Sequence, residues 1–262
     1  MIKAIFFDID GTLVSFKTHK IPQSTLDALR QLKEQGIKLF IATGRPPYDL
    51  EMLISELGDI FEGYITFNGQ YCMDKHKNLI YEDYLDQEDL IRFTDFIKDK
   101  DIACGFMELD YFYFNLYNER LAKLKETLGD TAPQRAFDST ERILSHKTYQ
   151  LNIFLDEEEE KSVAHCFENS KSVRWCPYFT DIIPKRGGKG TGIKKILEHY
   201  KINIDESMAF GDGGNDKEML EAVKIGVAMG NANDNLKAIA DFVTLDVDNH
   251  GIEHALKHFN IL

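Results

Sequence analysis

Several features of membrane, secreted and nucleic-acid-binding proteins are missing from this sequence of 262 residues. No apolar run is long enough to span a membrane, and the first residues lack the pattern of a signal peptide. The 31 lysine and arginine residues are outnumbered by 44 aspartate and glutamate residues, and the net charge of −13 repels nucleic acid and anionic membranes. We therefore expect a cytoplasmic protein that has neither nucleic acid nor a membrane as a partner. We also expect a monomer or weak homodimer.

Cysteine and proline are also scarce. The sequence has six prolines, and its four cysteines show no pair at metal-binding or redox spacing. We interpret these thiols as buried, reduced and without a role: Cys72, Cys104, Cys166 and Cys176. The composition, with 43% hydrophobic and 29% charged residues, is typical of a globular protein with a sizeable core. Because the chain is longer than a usual single domain, we expect two structural units.

Short apolar runs alternate with helical patterns in the first and last parts of the chain. This alternation is typical of a parallel sheet with right-handed crossovers. The predicted strands cover 3–7, 37–42, 64–67, 207–210 and 225–229, and the predicted helices cover 22–35, 48–57, 189–200 and 216–223.

The middle of the chain follows a different pattern. A helical segment at 87–100 precedes an aromatic strand at 111–115 and a strand at 150–155 that alternates with period two. We interpret the acidic run at 156–160 as the first turn of a helix and the aromatic run as packing. The fold prediction is a Rossmann-like parallel-sheet α/β core formed by residues 1–82 and 186–262, with an inserted α+β cap at 83–185.

Two carboxylates follow the first predicted strand. In Asp8-Ile9-Asp10-Gly11, both acidic side chains can lean into one cleft, and the glycine lets the chain turn. An isolated Asp-x-Asp pair is also a common turn. This pair, however, stands at the carboxyl end of a buried strand, where open α/β sheets bind ligands.

A second acidic group, containing Asp212 and Asp216, follows the predicted strand at 207–210. Clustered like charges are costly, so we expect a cation among these carboxylates. A phosphate dianion ~4 Å from one carboxylate would be repelled by roughly 8 kcal/mol at an effective dielectric constant of 20. A hard divalent cation removes that repulsion, and Mg²⁺ suits carboxylates, a phosphate oxygen and water. Zinc is disfavoured because neither motif contains histidine or cysteine.

Three further segments offer groups to a phosphate. Thr43-Gly44-Arg45 lies between a strand and a helix and supplies a hydroxyl and backbone N–H groups, although a plain helix cap fits it as well. Lys189 starts a predicted helix, where the dipole disfavours a cation, and this position indicates an anionic partner. Asn68, in Phe67-Asn68-Gly69, follows a third strand and is equally compatible with a simple turn.

The segments Asp-x-Asp-Gly-Thr-Leu, Thr-Gly-Arg, Lys-Gly and Gly-Asp-x-x-Asn-Asp, in this order, resemble the motifs of the haloacid dehalogenase-like (HAD) phosphohydrolase superfamily. The placement of the insertion resembles its Cof-like branch, and the resemblance covers the whole chain. It implies a Mg²⁺-dependent phosphatase that forms an aspartyl phosphate. The implied partner is a small phosphorylated metabolite, such as a sugar phosphate or a similar phosphomonoester.

The resemblance also implies a role for each matching residue. Asp8 would be the nucleophile, and Asp10 would act first as acid and then as base. The implied magnesium ligands are Asp8, Asp10 through its main-chain carbonyl, Asp212 and, directly or as a support, Asp216. The implied phosphate-binding groups are the Ile9 backbone N–H, Thr43, Gly44, Lys189 and Asn215. Arg45 and Asn68 are candidate substrate contacts.

Two other functions are compatible with the same residues. A phosphomannomutase-like phosphotransferase shares the aspartyl chemistry and a similar cap. Outside enzymes, the alternative is a non-catalytic regulator that binds a phosphometabolite, because a fold does not fix a function. The complete set of Asp8, Asp10, Lys189 and Asp212 argues against the regulator, since a pure binder gains nothing from a nucleophile that faces phosphate.

Overall fold

The computed structural model describes residues 1–128, 136–174 and 178–262, so that Cys176 lies outside the described residues. The chain forms two compact units. One combines Met1–Glu82 with Gly187–Leu262, and the other is Asp83–Arg186. Arg186 belongs to the second unit, where its guanidinium donates two hydrogen bonds of 2.8 and 2.7 Å to the Asp83 carboxylate.

The strands and helices are numbered along the chain. The strands are β1 (Ala4–Phe7), β2 (Lys38–Ala42), β3 (Gly63–Thr66), β4 (Tyr71–Asp74), β5 (Leu79–Glu82), β6 (Cys104–Met107), β7 (Phe112–Phe114), β8 (Ala136–Phe137), β9 (Gln150–Ile153), β10 (Ser170–Val173), β11 (Thr180–Pro184), β12 (Ser207–Gly211), β13 (Ile225–Ala228) and β14 (Phe242–Val243). The α-helices are α1 (Gln23–Glu34), α2 (Glu51–Leu57), α3 (Gln87–Ile97), α4 (Glu119–Leu128), α5 (Glu157–Val163), α6 (Lys189–Tyr200), α7 (Lys217–Glu221), α8 (Asp234–Ile239) and α9 (Gly251–His258).

The first unit is built on one sheet with the strand order β14-β13-β12-β1-β2-β3-β4-β5. Strand β1 lies inside this sheet and pairs in parallel with β12 on one side and with β2 on the other. The chain therefore continues from β1 to β2 on one side and later returns to β12 on the other, and such a switch point places a crevice at the carboxyl end of the strand. The α/β fold with a parallel-sheet core is as predicted.

Strands β4 and β5 were not predicted, and they extend the sheet in antiparallel fashion beyond β3. A tight turn joins them. The Asp74 carboxylate accepts the backbone N–H groups of His76 and Asn78, each at 2.8 Å, while Lys77 adopts a left-handed backbone with φ of 64°. Both strands are short and β5 is partly exposed, so their hydrophobic pattern is weak.

Strand β1 is buried on both faces, which explains its unbroken apolar sequence. Ile5 and Phe7 pack in one hydrophobic cluster of the unit, and Ala4 and Phe6 pack in the other. The helices on the two faces complete these clusters. Helix α1 contributes Ala28, Leu29 and Leu32 to the first, and helix α6 contributes Ile193, Ile196 and Leu197 to the second.

The second unit is an antiparallel sheet in which the order of strands is β10-β11-β9-β6-β7-β8, with one parallel pair between β7 and β8. The predicted aromatic run packs within the unit, since Tyr113 stacks on Phe106 at 5.1 Å between ring centroids. The acidic run starts helix α5 as expected. The Asp156 side chain caps the helix and exchanges hydrogen bonds with Glu159 in a capping box.

Asp89 on helix α3 stabilises the second unit. Its side chain is 1% exposed and accepts the Glu168 N–H at 3.1 Å, the Asn169 N–H at 2.9 Å and the Ser170 hydroxyl at 2.7 Å. Arg92 also donates to it. These bonds tie the loop before β10 to the helix.

We predict that Asp89→Ala lowers the free energy of unfolding by about 3 kcal/mol, because it removes the buried carboxylate that accepts from the loop before β10 and leaves the buried Ser170 hydroxyl without this acceptor. Urea denaturation measures the loss. The exposed Asp95 on the same helix is the matched control, and Asp95→Ala should change stability by less than about 0.5 kcal/mol. Equal stability of the two variants would contradict the stabilising role of Asp89.

In the part of the chain that the structure describes, no helix combines the length and the apolar character that crossing a bilayer requires.

Candidate active site

The predicted site residues of the first unit follow neighbouring parallel strands. Asp8 follows β1, Thr43 follows β2 and Asp212 follows β12. The strand pairing continues into these positions, since the Asp8 N–H donates to the Phe210 carbonyl at 3.0 Å. Because the carboxyl ends of parallel strands lie at one edge of a sheet, the three side chains come from different parts of the sequence to one place.

Three carboxylates form a cluster at this edge. Asp8, Asp212 and Asp216 each place a carboxylate oxygen within 4.8 Å of the others. The ammonium group of Lys189 lies between two of them, with Nζ 2.6 Å from Asp8 Oδ1 and 2.6 Å from Asp216 Oδ1. Asp8 is 7% exposed, Lys189 is 1% exposed and Asp216 is fully buried. Three carboxylates against one ammonium leave two negative charges uncompensated within the cluster.

The pKa values in the cluster reflect burial first and then this excess of negative charge. Burial raises the pKa of the Asp8 carboxyl to about 7, with a further rise from the nearby Asp216 and Asp10 carboxylates and opposition from Lys189. Burial and the charges of Asp8 and Asp216 raise the pKa of Asp212 to about 8. Burial alone would lower the pKa of Lys189, but the Asp216 and Asp8 carboxylates raise it. The cluster therefore favours an added positive charge.

Asp216 also organises the loop that carries Asp212. Its Oδ2 accepts the backbone N–H groups of Asp212 and Gly213, both at 2.9 Å. Its Oδ1 accepts from Lys189. One side chain thus fixes the loop after β12 and the position of the lysine. This arrangement explains how Lys189 is stabilised at a helix start that disfavours a cation.

Asp10 and Arg45 form a bidentate ion pair. Arg45 Nε lies 2.9 Å from Asp10 Oδ2, and its NH2 atom lies 2.5 Å from Oδ1. Burial lowers the pKa of the guanidinium, but the hydrogen bonds to Asp10 raise it overall. The predicted substrate contact Arg45 therefore contacts the predicted acid and base directly. Thr43 Oγ1 accepts the Arg45 backbone N–H at 3.1 Å.

The remaining predicted residues surround this group. Asn215 Nδ2 donates to Asn68 Oδ1 at 2.9 Å, which joins the loop after β12 to the turn after β3. Gly44 lies next to the Asn68 side chain. Ile9 is buried between the two aspartates, and its carbonyl accepts N–H groups of the following turn, including that of Val14 at 2.8 Å.

Two residues of the site were not predicted. The Thr12 hydroxyl donates to Asp212 Oδ1 at 3.1 Å, and Asn231 Nδ2 donates to the Gly11 carbonyl at 2.8 Å and lies 3.3 Å from Asp212 Oδ2. Both orient the Asp212 carboxylate. Thr12 stands inside the first motif, and Asn231 follows strand β13 by three residues. Both residues therefore lie just after a parallel strand, and this position could have identified them from the sequence.

Gly11 is required where the two acidic loops approach each other. It has a left-handed φ of 88°, and a Cβ atom there would lie 2.2 Å from Asp212 Oδ2. A larger residue would displace the Asp212 carboxylate. This contact explains the glycine of the first motif by packing as well as by backbone conformation.

Comparison with known proteins identifies the family. The family model described as haloacid dehalogenase-like hydrolase matches residues 5–256. The chain belongs to the haloacid dehalogenase-like hydrolase family. The match spans both units of this HAD-like hydrolase.

Relatives and solved structures agree with this assignment. The HAD-like hydrolase is 37% identical over 265 residues to the putative phosphatase YkrA of Bacillus subtilis, covering 99% of this chain and 98% of the relative. It is 30% identical over 274 residues to the HMP-PP phosphatase of Yersinia pseudotuberculosis serotype I, covering 99% and 96%. The structure of BT4131, a HAD subclass IIB sugar phosphatase, is 40% identical and superposes with a TM-score of 0.91, covering 99% and 100%.

These comparisons confirm the predicted family and its Cof-like branch, and they confirm an enzyme of the phosphatase class. The roles predicted for individual residues stay predictions. The structure brings Asp8, Asp10, Thr43, Lys189, Asp212 and Asp216 to one edge of the sheet of the HAD-like hydrolase.

Proposed function

We propose that this phosphatase hydrolyses a small sugar phosphate or a similar phosphomonoester through an aspartyl phosphate on Asp8. The observation that carries the proposal is the contact between a nearly buried Asp8 and the fully buried Lys189 ammonium at the carboxyl end of a central parallel strand. An ammonium beside the carboxylate lowers the repulsion between Asp8 and an approaching phosphate. It also stabilises negative charge on the transferring group.

Asp10 is proposed as the acid that protonates the leaving oxygen and then as the base that activates water. It stands two residues after Asp8 and belongs to the same strand end. The bidentate contact with Arg45 fixes the direction of its carboxylate. Thr43, Gly44, Asn215 and the Ile9 N–H are proposed to hold the phosphate with Lys189.

The cluster fits Mg²⁺ by the chemistry of its donors. The group of possible ligands in the described residues consists of carboxylates alone, and a hard oxygen-liganded cation suits such a set. Its two uncompensated negative charges equal the charge of one divalent ion. We propose that Asp8, Asp212, the Asp10 carbonyl and, directly or as a support, Asp216 hold the ion. When bound, it would neutralise charge on the phosphate and on the carboxylates.

Magnesium should stabilise the protein more at high pH than at low pH. Asp8 and Asp212 have folded pKa values of about 7 and about 8, above their ordinary value of 3.8. Without a cation, stability therefore falls as pH rises from about 4 through these values, because the buried carboxyls ionise. Only the ionised forms bind metal well.

We expect a larger increase in melting temperature on adding MgCl₂ at about pH 8.5 than at about pH 5.5. Thermal unfolding measures it, with NaCl of equal ionic strength as the control. Asp212→Asn should remove most of the increase. An increase that is equal at both pH values, or unchanged in the variant, would contradict the proposed site.

The second unit is proposed as the cap that selects the substrate. Asn152 on β9 and Asp181 on β11 are register partners, and Asn152 Nδ2 lies 2.5 Å from Asp181 Oδ1. They alternate with Leu151 and Ile182, which pack in the core of the unit, and so occupy the other face of the sheet. An amide and a carboxylate side by side suit hydroxyl groups of a sugar.

We predict that Asp181→Asn lowers kcat/KM for the preferred sugar phosphate by about tenfold, the effect of one hydrogen bond to a charged group. Hydrolysis of p-nitrophenyl phosphate should change less than about threefold, since this ester lacks a sugar. Steady-state kinetics on both esters provide the measurement. Asp99→Asn, at an exposed position of the same unit, is the control. Parallel losses on both esters would argue against a role in selection.

A panel of phosphomonoesters tests the proposed function as a whole. Purified protein with MgCl₂ should release inorganic phosphate, and excess chelator should abolish the release. Formation of an isomerised sugar phosphate in place of free phosphate would indicate the mutase alternative. Full activity in chelator would refute the metal requirement. A cytoplasmic location, the absence of nucleic-acid and membrane partners, and a monomer or weak homodimer stay predictions.

A further inference from the structure

A strained turn lies directly after β3. Phe67, Asn68 and Gly69 all have left-handed backbones, with φ of 50°, 54° and 105°. Glycine adopts this conformation freely and asparagine does so more often than most residues, but a bulky phenylalanine rarely does. All three residues are buried. A strained conformation in a buried turn persists only where surrounding contacts hold it, and such turns cluster at functional sites.

This turn contacts the segments that carry the proposed phosphate-binding groups. The Asn68 N–H donates to the Thr43 carbonyl at 2.9 Å, and Asn68 Oδ1 accepts from Asn215 Nδ2 at 2.9 Å. A Cβ atom on Gly69 would lie 2.1 Å from the Gly188 carbonyl oxygen, so the two backbones are in direct contact just before Lys189. One turn therefore touches three segments that are distant in the sequence.

Gln70 holds the turn in place. Its side chain is fully buried, and its Nε2 donates to the carbonyls of Phe67 at 2.6 Å and Asn68 at 3.1 Å. Both carbonyls require a donor, which fixes the direction of the amide. Its Oε1 has no hydrogen-bond partner among the residues that the structure describes. The Gln70 amide thus donates one hydrogen bond to each of the two strained non-glycine residues.

We propose that the Phe67–Gln70 segment positions the phosphate-binding groups, with Gln70 as its clamp. Gln70 is a positioning residue that acts through Asn68 on Asn215 and through the turn on Thr43 and the start of α6. This inference rests on the proposed function. It makes Asn68 an orienting partner of Asn215, a role that does not require contact with the substrate.

Gln70→Met keeps the length of the side chain and removes both donors. We expect the KM for p-nitrophenyl phosphate and the inhibition constant of inorganic phosphate to rise at least about tenfold, with a smaller change in kcat. Thr66→Val is the matched control. The buried Thr66 hydroxyl lies next to the same turn and donates at 2.9 Å to the carbonyl of Tyr71, which lies after the Phe67–Gln70 segment. Loss of this hydroxyl should lower the melting temperature. It should leave the KM for p-nitrophenyl phosphate and the inhibition constant of inorganic phosphate within about twofold of the wild-type values.

A double-mutant cycle tests the path through Asn215. If Gln70 acts partly through Asn215, Gln70→Met should have a smaller effect in an Asn215→Ala background than in the wild type. Asn68→Gly is the second variant, because glycine tolerates the left-handed φ while the contact with Asn215 is lost. It should raise the inhibition constant of inorganic phosphate even where Gln70→Met does not fold.

The inference would be overturned if folded Gln70→Met kept the wild-type KM and inhibition constant. It would also be overturned if Asn68→Gly kept the wild-type inhibition constant of inorganic phosphate. Either result would leave the proposed function intact. Wild-type protein that neither binds inorganic phosphate in MgCl₂ nor hydrolyses phosphomonoesters would instead overturn the proposed function.

Discussion

Asp8→Asn should lower the turnover of phosphomonoesters by about 10⁵-fold or more, the scale of effect seen when a nucleophile is removed. The amide fits the same volume but cannot attack phosphorus. Because the substitution removes one of three clustered carboxylates, the metal-free variant should be at least as stable as the wild type. Stopped assays with inorganic phosphate detection measure turnover, and thermal unfolding confirms that the variant is folded.

The activity of Asp8→Asn can also contradict the proposed role of Asp8 as the nucleophile. Activity within about tenfold of wild type, in a preparation free of contaminating phosphatase, would exclude Asp8 as the nucleophile. Asp248→Asn is a suitable control, since Asp248 forms a 3.5 Å ion pair with the exposed Lys17 and lies outside the cluster. It should keep wild-type turnover.

Lys189→Met should reduce both stability and activity. Its ammonium contacts Asp8 and Asp216 at 2.6 Å each and is buried, so the substitution leaves the carboxylates without their cation. Removing one partner of a buried ion pair costs about 3–5 kcal/mol of unfolding free energy, here in metal-free protein. We expect kcat/KM to fall by about 10²–10³-fold, because a group that stabilises the transferring phosphoryl is lost.

Another lysine of the same helix provides the control. The Lys195 side chain is 43% exposed and pairs with Glu198 at 3.1 Å on the surface of α6. Lys195→Met should change stability by less than about 1 kcal/mol and leave kcat/KM unaltered. If Lys189→Met behaves like Lys195→Met in urea denaturation and in kinetics, the proposed role of the buried ammonium is wrong.

The sequence was informative where strong local patterns coincide with strand ends. Helix α6 spans 189–200 as predicted, because Gly187 and Gly188 mark its start and its apolar spacing is regular. Asp8, Asp10 and Asp212 were found because each follows an apolar strand, and parallel pairing then brings them together. Lys189 was found because its position at a helix start conflicts with the helix dipole. The structure shows two carboxylates that stabilise its positive charge there.

The sequence was uninformative where a role depends on distant geometry. Nothing in the pattern around Gln70 indicates a clamp, because that role arises only from the left-handed backbones of the residues before it. Arg45 was interpreted as a substrate contact, which stays a prediction, and its ion pair with Asp10, 35 residues away, was not foreseen. Strands β4 and β5 were missed because partial exposure weakens their apolar alternation. Local sequence patterns thus locate the site, but only the structure shows the hydrogen bonds between its residues.

Trapping of the covalent intermediate tests the central claim most directly. Asp10→Asn should still be phosphorylated by p-nitrophenyl phosphate, whose leaving group needs no acid, but should lose the base that activates water. The phosphoenzyme should therefore accumulate. Borohydride converts an acyl phosphate to an alcohol, and peptide mass spectrometry should then find homoserine at position 8. Homoserine at another position, or an unmodified Asp8 during continued turnover, would contradict the account.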